Sequence, residues 1–166
     1  MQPLEEPIAE SHVFSLHQAG MEYLPLCCDA LINSEYGQSY FGTADNVESF
    51  LRQGFERNEV TYAANKEGFF VGFIWYTLES SFRGFPFIQA MAVKPSFRSI
   101  GAGTYLISHF EKVAFATANT VFVLVSSANP GVLRLFKRLQ YRPIGRIPHL
   151  IIPGTDEVLL SKYRLS

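Results

Sequence analysis

Apolar positions change period several times along the chain. Between 60 and 93 they crowd into short runs: 60–64, then 69–78, then 85–93, where Pro95 stops the last run. Runs of this length, with a turn at 80–84, predict three strands, and the middle one, apolar on both faces, belongs at the centre of a sheet. Downstream the period lengthens. Ala102, Tyr105, Leu106, His109, Phe110, Val113, Ala114 and Thr117 recur at spacings of three and four and predict a long amphipathic helix. The unbroken apolar run 121–125 has the character of a buried parallel strand. Asn129 followed by Pro130 has the form of an N-cap and first helical position, and Val132, Leu135, Phe136 and Leu139 supply that helix's buried stripe. Segments 143–152 and 158–163 complete the pattern as two strands.

Toward the N-terminus, 13–16 fits a short strand. Met21, Leu24, Cys28 and Leu31 have helical spacing, with Pro25 either kinking that helix or lying in its first turn. The Ser-, Gly- and Tyr-rich stretch 34–42 reads as a loop. Asp45-Asn46-Val47-Glu48 resembles a capping box ahead of the apolar stripe Val47, Phe50, Leu51 and Phe55, so a second helix follows. The Pro- and Glu-rich segment 1–11 is expected to be loosely held, and 12–166 to form a single domain. Two helices, three strands, a helix, a strand, a helix and two strands predict a mixed α/β (α+β) fold. At least one right-handed β-α-β crossover passes over the long helix.

Composition narrows the function classes. Of 166 residues, 48% are hydrophobic, with 15 Phe and 8 Tyr, which supports a core and excludes a disordered chain. The net charge of −1 carries no basic footprint for nucleic acid, and no apolar run approaches the length of a membrane span. The first residues lack the basic start and apolar stretch of a signal peptide. Cys27 and Cys28 are adjacent and cannot staple a loop. These features point to two reduced thiols in a cytoplasmic protein. His12, His17, His109 and His149 have no metal-ligand spacing, so no metal is expected. Trp75 reads as core.

The segment between the third strand and the long helix carries the chemistry. Arg98-Ser99-Ile100-Gly101-Ala102-Gly103 runs straight into the amphipathic stripe. First-turn amides have no partner inside a helix and sit at the positive end of its dipole. The two glycines keep side chains away from an approaching ligand, and Arg98 adds a cation. Together they predict an anion site, with phosphate the natural occupant. The Lys-Ser/Thr pair of a P-loop is missing at Thr104-Tyr105. Leu106 and the strand 121–125 supply neither the third small residue nor the acid of a dinucleotide fingerprint. On spacing alone an ordinary Gly-rich turn remains open.

Val93-x-Pro95-x-x-Arg98-x-x-Gly101-x-Gly103 resembles the pyrophosphate-binding motif of the GNAT acetyltransferase superfamily. Asn129 opening a helix that runs Leu135-Phe136-x-x-x-x-Tyr141 is similar to the family's Asn…Leu-Tyr-x-x-x-Gly-Phe segment. The element order matches from about residue 12 onward. The resemblance implies a mixed central sheet flanked by about four helices, with two parallel strands splayed into a V-shaped cleft. It implies acetyl-CoA as co-substrate. Main-chain groups of Met91, Ala92 and Val93 would pair with the pantetheine arm. Amides of Arg98, Ser99, Ile100, Gly101, Ala102, Gly103 and Thr104 would hold the pyrophosphate, and Asn129 would contact the pantetheine or a water. Arg134, Lys137 and Arg138 are on the polar side of the last helix.

The implied reaction is direct attack of an amine, from a small molecule or a peptide, on the thioester. Two positions depart from the family pattern. Phe136 stands where many members have the tyrosine that protonates the departing thiolate, and Phe87 is close to where some carry a glutamate. Substitute groups are Asn129, Tyr105, Tyr141, Ser126 and Ser127 on one side and Glu79, Glu35 and Tyr36 on the other. A backbone N–H near 91–93, that of Ala92 for instance, would stabilise the oxyanion. Tyr36, Tyr40, Phe41, Phe82 and Phe85 suggest a partly apolar acceptor cleft. The two phenylalanines keep open a second reading, a CoA-binding regulatory domain with weak or no catalysis. Another acyl-CoA is a further alternative, and the high apolar content makes a homodimer plausible.

Overall fold

A computed structural model describes residues 14–164; the expected loose segment 1–11, His12, and the side chains of Glu35 and Tyr36 lie outside the described residues. Seven strands form one sheet in the order β1-β2-β3-β4-β5-β7-β6. They are β1 (Ser15–Gln18), β2 (Val60–Ala64), β3 (Phe70–Thr77), β4 (Phe87–Val93), β5 (Thr120–Ser126), β6 (Arg142–Pro148) and β7 (Asp156–Tyr163). The helices are α1 (Leu24–Ile32), α2 (Glu35–Phe41), α3 (Ala44–Glu56), α4 (Ala102–Ala114) and α5 (Pro130–Arg138). All neighbouring strands are antiparallel except β4 and β5, the pair joined across α4.

Each face of the sheet has its own apolar layer. Leu106, Ile107 and Phe110 of α4 and Phe136 of α5 pack with Ile88, Val121, Val123, Val125, Val158 and Leu160. On the opposite face, Leu24, Cys27 and Leu31 of α1 and Val47, Leu51 and Phe55 of α3 pack on Phe73, Trp75 and Ala92. The central position expected for 69–78 follows from this double coverage. Cys27 and Cys28 are free thiols on the α1 side, and burial pushes both up in pKa, Cys28 to about 11.

The structure departs from the sequence reading in two places before β2 and settles a third. The expected loop 34–42 contains the helix α2, giving five α-helices among the described residues rather than about four. Ser34 starts α2, its Oγ accepting from the Gly37 N–H at 2.8 Å, and Gly42 ends it with φ +71°. Gly37 permits the close approach to α1, since a Cβ there would sit 1.8 Å from the Leu31 carbonyl oxygen. Thr43, not Asp45, caps α3, accepting from the Asn46 N–H at 3.3 Å. Pro25 lies in the first turn of α1, where its missing N–H costs no helical bond.

Candidate functional site

The parallel ladder between β4 and β5 is short. Phe87 pairs with Phe122 and Ile88 with Val123, and pairing stops there although both strands continue. The cause is a register slip in β4: Trp75 faces Ala90 while Tyr76 faces Ile88, leaving Gln89 as an extra residue. Such a bulge bends its strand and raises the local twist, and here it turns β4 away from β5. A V-shaped gap opens toward the carboxyl ends of the two strands. Its walls are Ile88 to Met91 of β4 and Val123 to Ser126 of β5, with Asn129, Val132 and Phe136 behind them around a cavity of about 70 Å³.

Strand alternation decides which backbone groups face the gap. The Lys94 N–H donates to Val71 at 2.8 Å, and Ala92 is opposite Phe73. Bonded pairs alternate along an antiparallel ladder, so Ala92 turns its N–H and C=O to β3. Met91 and Val93 turn theirs toward the gap. Of the backbone N–H groups in the stretch 91–93 suggested for an oxyanion, those of Met91 and Val93 face the gap and that of Ala92 faces β3.

The turn after β4 leads from the carboxyl end of that strand into α4. Ser99 has φ +63° and Gly101 φ +88°, and the helix α4 begins at Ala102. These two left-handed residues, reached from the extended Arg98, set up the direction of the first-turn amides of Ala102, Gly103 and Thr104. A Cβ at Gly101 would meet nothing within 4 Å, so that glycine answers a backbone requirement. Gly103 answers a packing one, because its Cβ would lie 3.2 Å from Cδ2 of Leu135 in α5. Ile100 packs beneath the turn with Phe14, Val71 and Ala102. Arg98 is exposed and donates from Nη2 to the Asn33 carbonyl at 3.2 Å, tying the turn to the end of α1.

Asn129 caps α5, its Oδ1 accepting from the Val132 N–H at 3.4 Å, and lines the gap. Phe136 is 1% exposed at the back of the gap, edge-on to Tyr141 with ring centroids 4.9 Å apart. Tyr141 is also buried. Its burial, and secondly the Glu111 carboxylate, push the phenol far up in pKa, so it holds its proton. The other suggested groups stand elsewhere. The Tyr105 hydroxyl donates to the Phe14 carbonyl at 2.9 Å and its ring packs on Phe14, anchoring the approach to β1. Glu79 is exposed past the end of β3, on a separate groove shared with His17, Glu59, Tyr76 and His109. The Ser127 N–H is bonded to the Asp156 carbonyl at 2.9 Å.

Two polar residues, one in the wall of the gap and one a strand away from it, were absent from the sequence reading. Gln89 occupies the bulge itself, its Nε2 3.5 Å from the Thr77 hydroxyl. Glu157, at the start of β7, is 2% exposed beside Ser126. Neither carries a local signal. Gln89 interrupts an apolar run, which a bulge explains only once the register is known, and Glu157 reads as the polar lead-in to a strand.

The profile of the acetyltransferase (GNAT) family matches residues 28–141. An N-alpha-acetyltransferase of Sulfolobus acidocaldarius is 27% identical over 117 residues, covering 64% of this chain and 70% of that protein. The solved structure of Ard1 from Thermoplasma volcanium superposes with a TM-score of 0.75 at 16% identity, over 92% of this chain and 99% of that one. Spermidine N-acetyltransferase from Vibrio cholerae, solved with CoA and spermine, gives 0.72 at 13% identity, over 90% and 95%. At such identities the two structures speak for the fold. The profile match spans more than half of the sequence, and with it the splayed strands, the turn into α4 and the Asn129 cap acquire a common explanation: the chain belongs to the acetyltransferase (GNAT) family.

Proposed function

We propose that the protein is an acetyl-CoA-dependent N-acetyltransferase acting on the amine of a small molecule or peptide. The observation that carries this reading is the early end of the β4–β5 ladder. It leaves the N–H and C=O groups of Met91 and Val93 without a strand partner, and an extended amide chain can add there as a strand would. The residues present fit the co-substrate. The pantetheine arm would lie along Met91 and Val93 and opposite Ser126. The pyrophosphate would sit on the amides from Arg98 to Thr104, with Asn129 at the arm's side.

The acetyl thioester supplies the acyl group; the chain supplies placement. The bulge at Gln89 turns the Met91 N–H into the gap, where it is pre-oriented to stabilise negative charge on a carbonyl oxygen. Placement alone is worth several orders of magnitude when reacting atoms are held in contact. The back wall offers no proton, since Phe136 has no hydroxyl and Tyr141 holds its own. A thiolate whose conjugate acid has a pKa near 8.5 leaves without a dedicated acid, at a cost of about 10² to 10⁴ in rate. That apolar back wall also favours a second reading, a CoA-binding domain that regulates rather than acetylates. Turnover with a panel of amines separates the two. No helix among the described residues is long and apolar enough to cross a membrane. The adjacent free thiols of Cys27 and Cys28 fit a reducing compartment, which is the support for a proposed cytoplasmic location.

The test is thermal unfolding with and without acetyl-CoA, on the wild type and on Arg98→Glu. Ligand at about 100 times its dissociation constant adds roughly 2.7 kcal/mol to the folded state. In a chain of this length that is a midpoint shift of about 5–10 °C. The shift is expected in the wild type and strongly reduced in the variant. A folded wild type with no shift at millimolar acetyl-CoA sinks the proposal.

A further inference from the structure

The ladder between β5 and β7 places Ser126 opposite Glu157. Opposed residues send their side chains to the same face of a sheet, and successive residues alternate faces. Val125 and Val158 belong to the layer under α4 and α5, so Ser126 and Glu157 point to the other face, the one that carries α1 and α3. Both are buried, at 3% and 2% exposed. Glu157 Oε1 is shut off from solvent and has no hydrogen-bond partner among the described residues.

Such a group is costly to a fold. A carboxylate removed from water is normally paired or neutralised. The neighbours of Glu157 across the ladders are Ser126 and Ile147, neither of them charged. The adjacent Asp156 is held by Arg146 at 3.3 Å, and no lysine or arginine among the described residues is within ion-pair distance of Glu157. Its partner in the ladder, Ser126, forms part of the cleft wall with Gln89, Met91 and Asn129. An unpaired acceptor one strand from the cleft, on the side away from α4 and its anion-binding turn, is suited to a cationic hydrogen-bond donor. Burial raises the pKa of Glu157, which makes it a stronger base than an exposed glutamate.

We propose that Glu157, with Ser126 beside it, receives the acceptor's ammonium group and removes its first proton. The inference rests on the acyl-transfer reading above. The first proton passes to the carboxylate, which is closed to bulk water while the cleft is filled and gives the proton up to water that enters past Ser126 after the product leaves. The freed nitrogen lone pair forms the C–N bond as the thioester C–S bond breaks, and the sulfur departs with that electron pair. The nitrogen's second proton goes to the sulfur, and the amide keeps the third. The class of acceptor is therefore a primary amine protonated at neutral pH.

The experiment compares wild type, Glu157→Gln and Ser126→Ala with acetyl-CoA and two probes, n-butylamine and a tetrapeptide with a free α-amino group. Glu157→Gln is expected to keep the acetyl-CoA-induced thermal shift. Its own unfolding midpoint should be unchanged or higher, because a buried charge has gone. It should nevertheless lose about 10²-fold or more in kcat/KM for whichever probe is used. The deficit should shrink as the pH rises toward the amine's own pKa, where solvent removes the proton instead. Ser126→Ala should lose a few degrees in midpoint, because its Oγ accepts from the Ala128 N–H at 3.2 Å, and should raise KM for the amine while keeping the acetyl-CoA-induced shift. A Glu157→Gln enzyme with wild-type kcat/KM overturns the proposal, and so does a loss of activity that tracks a fall in stability and in coenzyme binding. If the wild type neither binds acetyl-CoA nor turns over, the acyl-transfer reading has failed. Calorimetric titration with n-butylammonium then decides the site alone: binding lost in Glu157→Gln sustains it, and no binding to the wild type overturns it.

Discussion

Gly101→Ala isolates what the turn before α4 requires of the backbone. Gly101 has φ +88° and ψ 6°, and an added Cβ would meet no atom within 4 Å. The substitution therefore creates no clash, and its cost is conformational. Holding an L-residue in the left-handed region costs roughly 1–2 kcal/mol. The stiffer unfolded chain returns a part of that, leaving a net loss of about 1 kcal/mol. For a domain of this length the unfolding midpoint should fall by about 2–4 °C. Function is more sensitive, because relaxing φ at 101 rotates the amides of Ala102, Gly103 and Thr104. Losing the equivalent of one charge-assisted hydrogen bond, about 1.5–3 kcal/mol, weakens acetyl-CoA binding roughly tenfold or more. Gly103→Ala is the control. It lies inside α4, where alanine gains up to about 1 kcal/mol over glycine, while the Leu135 methyl 3.2 Å away must yield slightly. Its net effect on stability should be within about 0.5 kcal/mol. Thermal unfolding and calorimetric titration with acetyl-CoA read both variants. Equal losses at the two glycines, or no loss at Gly101, would refute the division of labour between them.

Three further outcomes are expected. Gly54→Ala should destabilise by about 1–2 kcal/mol, read by urea unfolding, although it sits inside α3. The new methyl would come within 2.6–2.9 Å of the Trp75 ring, which a 2.8 Å bond from Nε1 to Glu59 holds in place, so overpacking outweighs helix propensity. Phe136→Tyr should raise kcat about tenfold at little cost in stability. The 70 Å³ cavity that Phe136 lines has space for a hydroxyl, and an unchanged kcat would remove that position from the proton inventory. His109 lies 3.1 Å from the Tyr76 hydroxyl, and burial, then Lys112, hold it below the usual imidazole value. The unfolded chain then takes up the proton first. Its contribution is complete above about pH 6.5 and is lost as pH falls toward the lower folded pKa, so His109→Gln should flatten the stability profile between about pH 7 and 5.

The elements most legible in the sequence are those whose evidence is local. The α4 stripe, the run 121–125 and the Asn129–Pro130 cap each depend on side chains within a turn or two of one another, and the structure has them at nearly the expected bounds. The loop reading of 34–42 failed because composition was weighed without the cap: Ser34 bonding the Gly37 amide, with Gly37 fitted against α1, makes a helix from poor helix formers. The turn 98–103 was legible as a candidate anion site, yet its two glycines look alike on paper. They separate only when φ at 101 and the distance from 103 to Leu135 are known. Glu157 shows the deeper reason. Nothing within four residues of it is unusual, and Asp156 beside it is a half-exposed partner of Arg146. Its burial comes from pairing with Ser126, more than thirty positions away, and with Ile147 on the opposite neighbouring strand. The setting of a buried carboxyl is decided by what the ladders place around it. Register is a non-local property, so the polar groups that face an acceptor are the last part of this site that a single sequence can disclose.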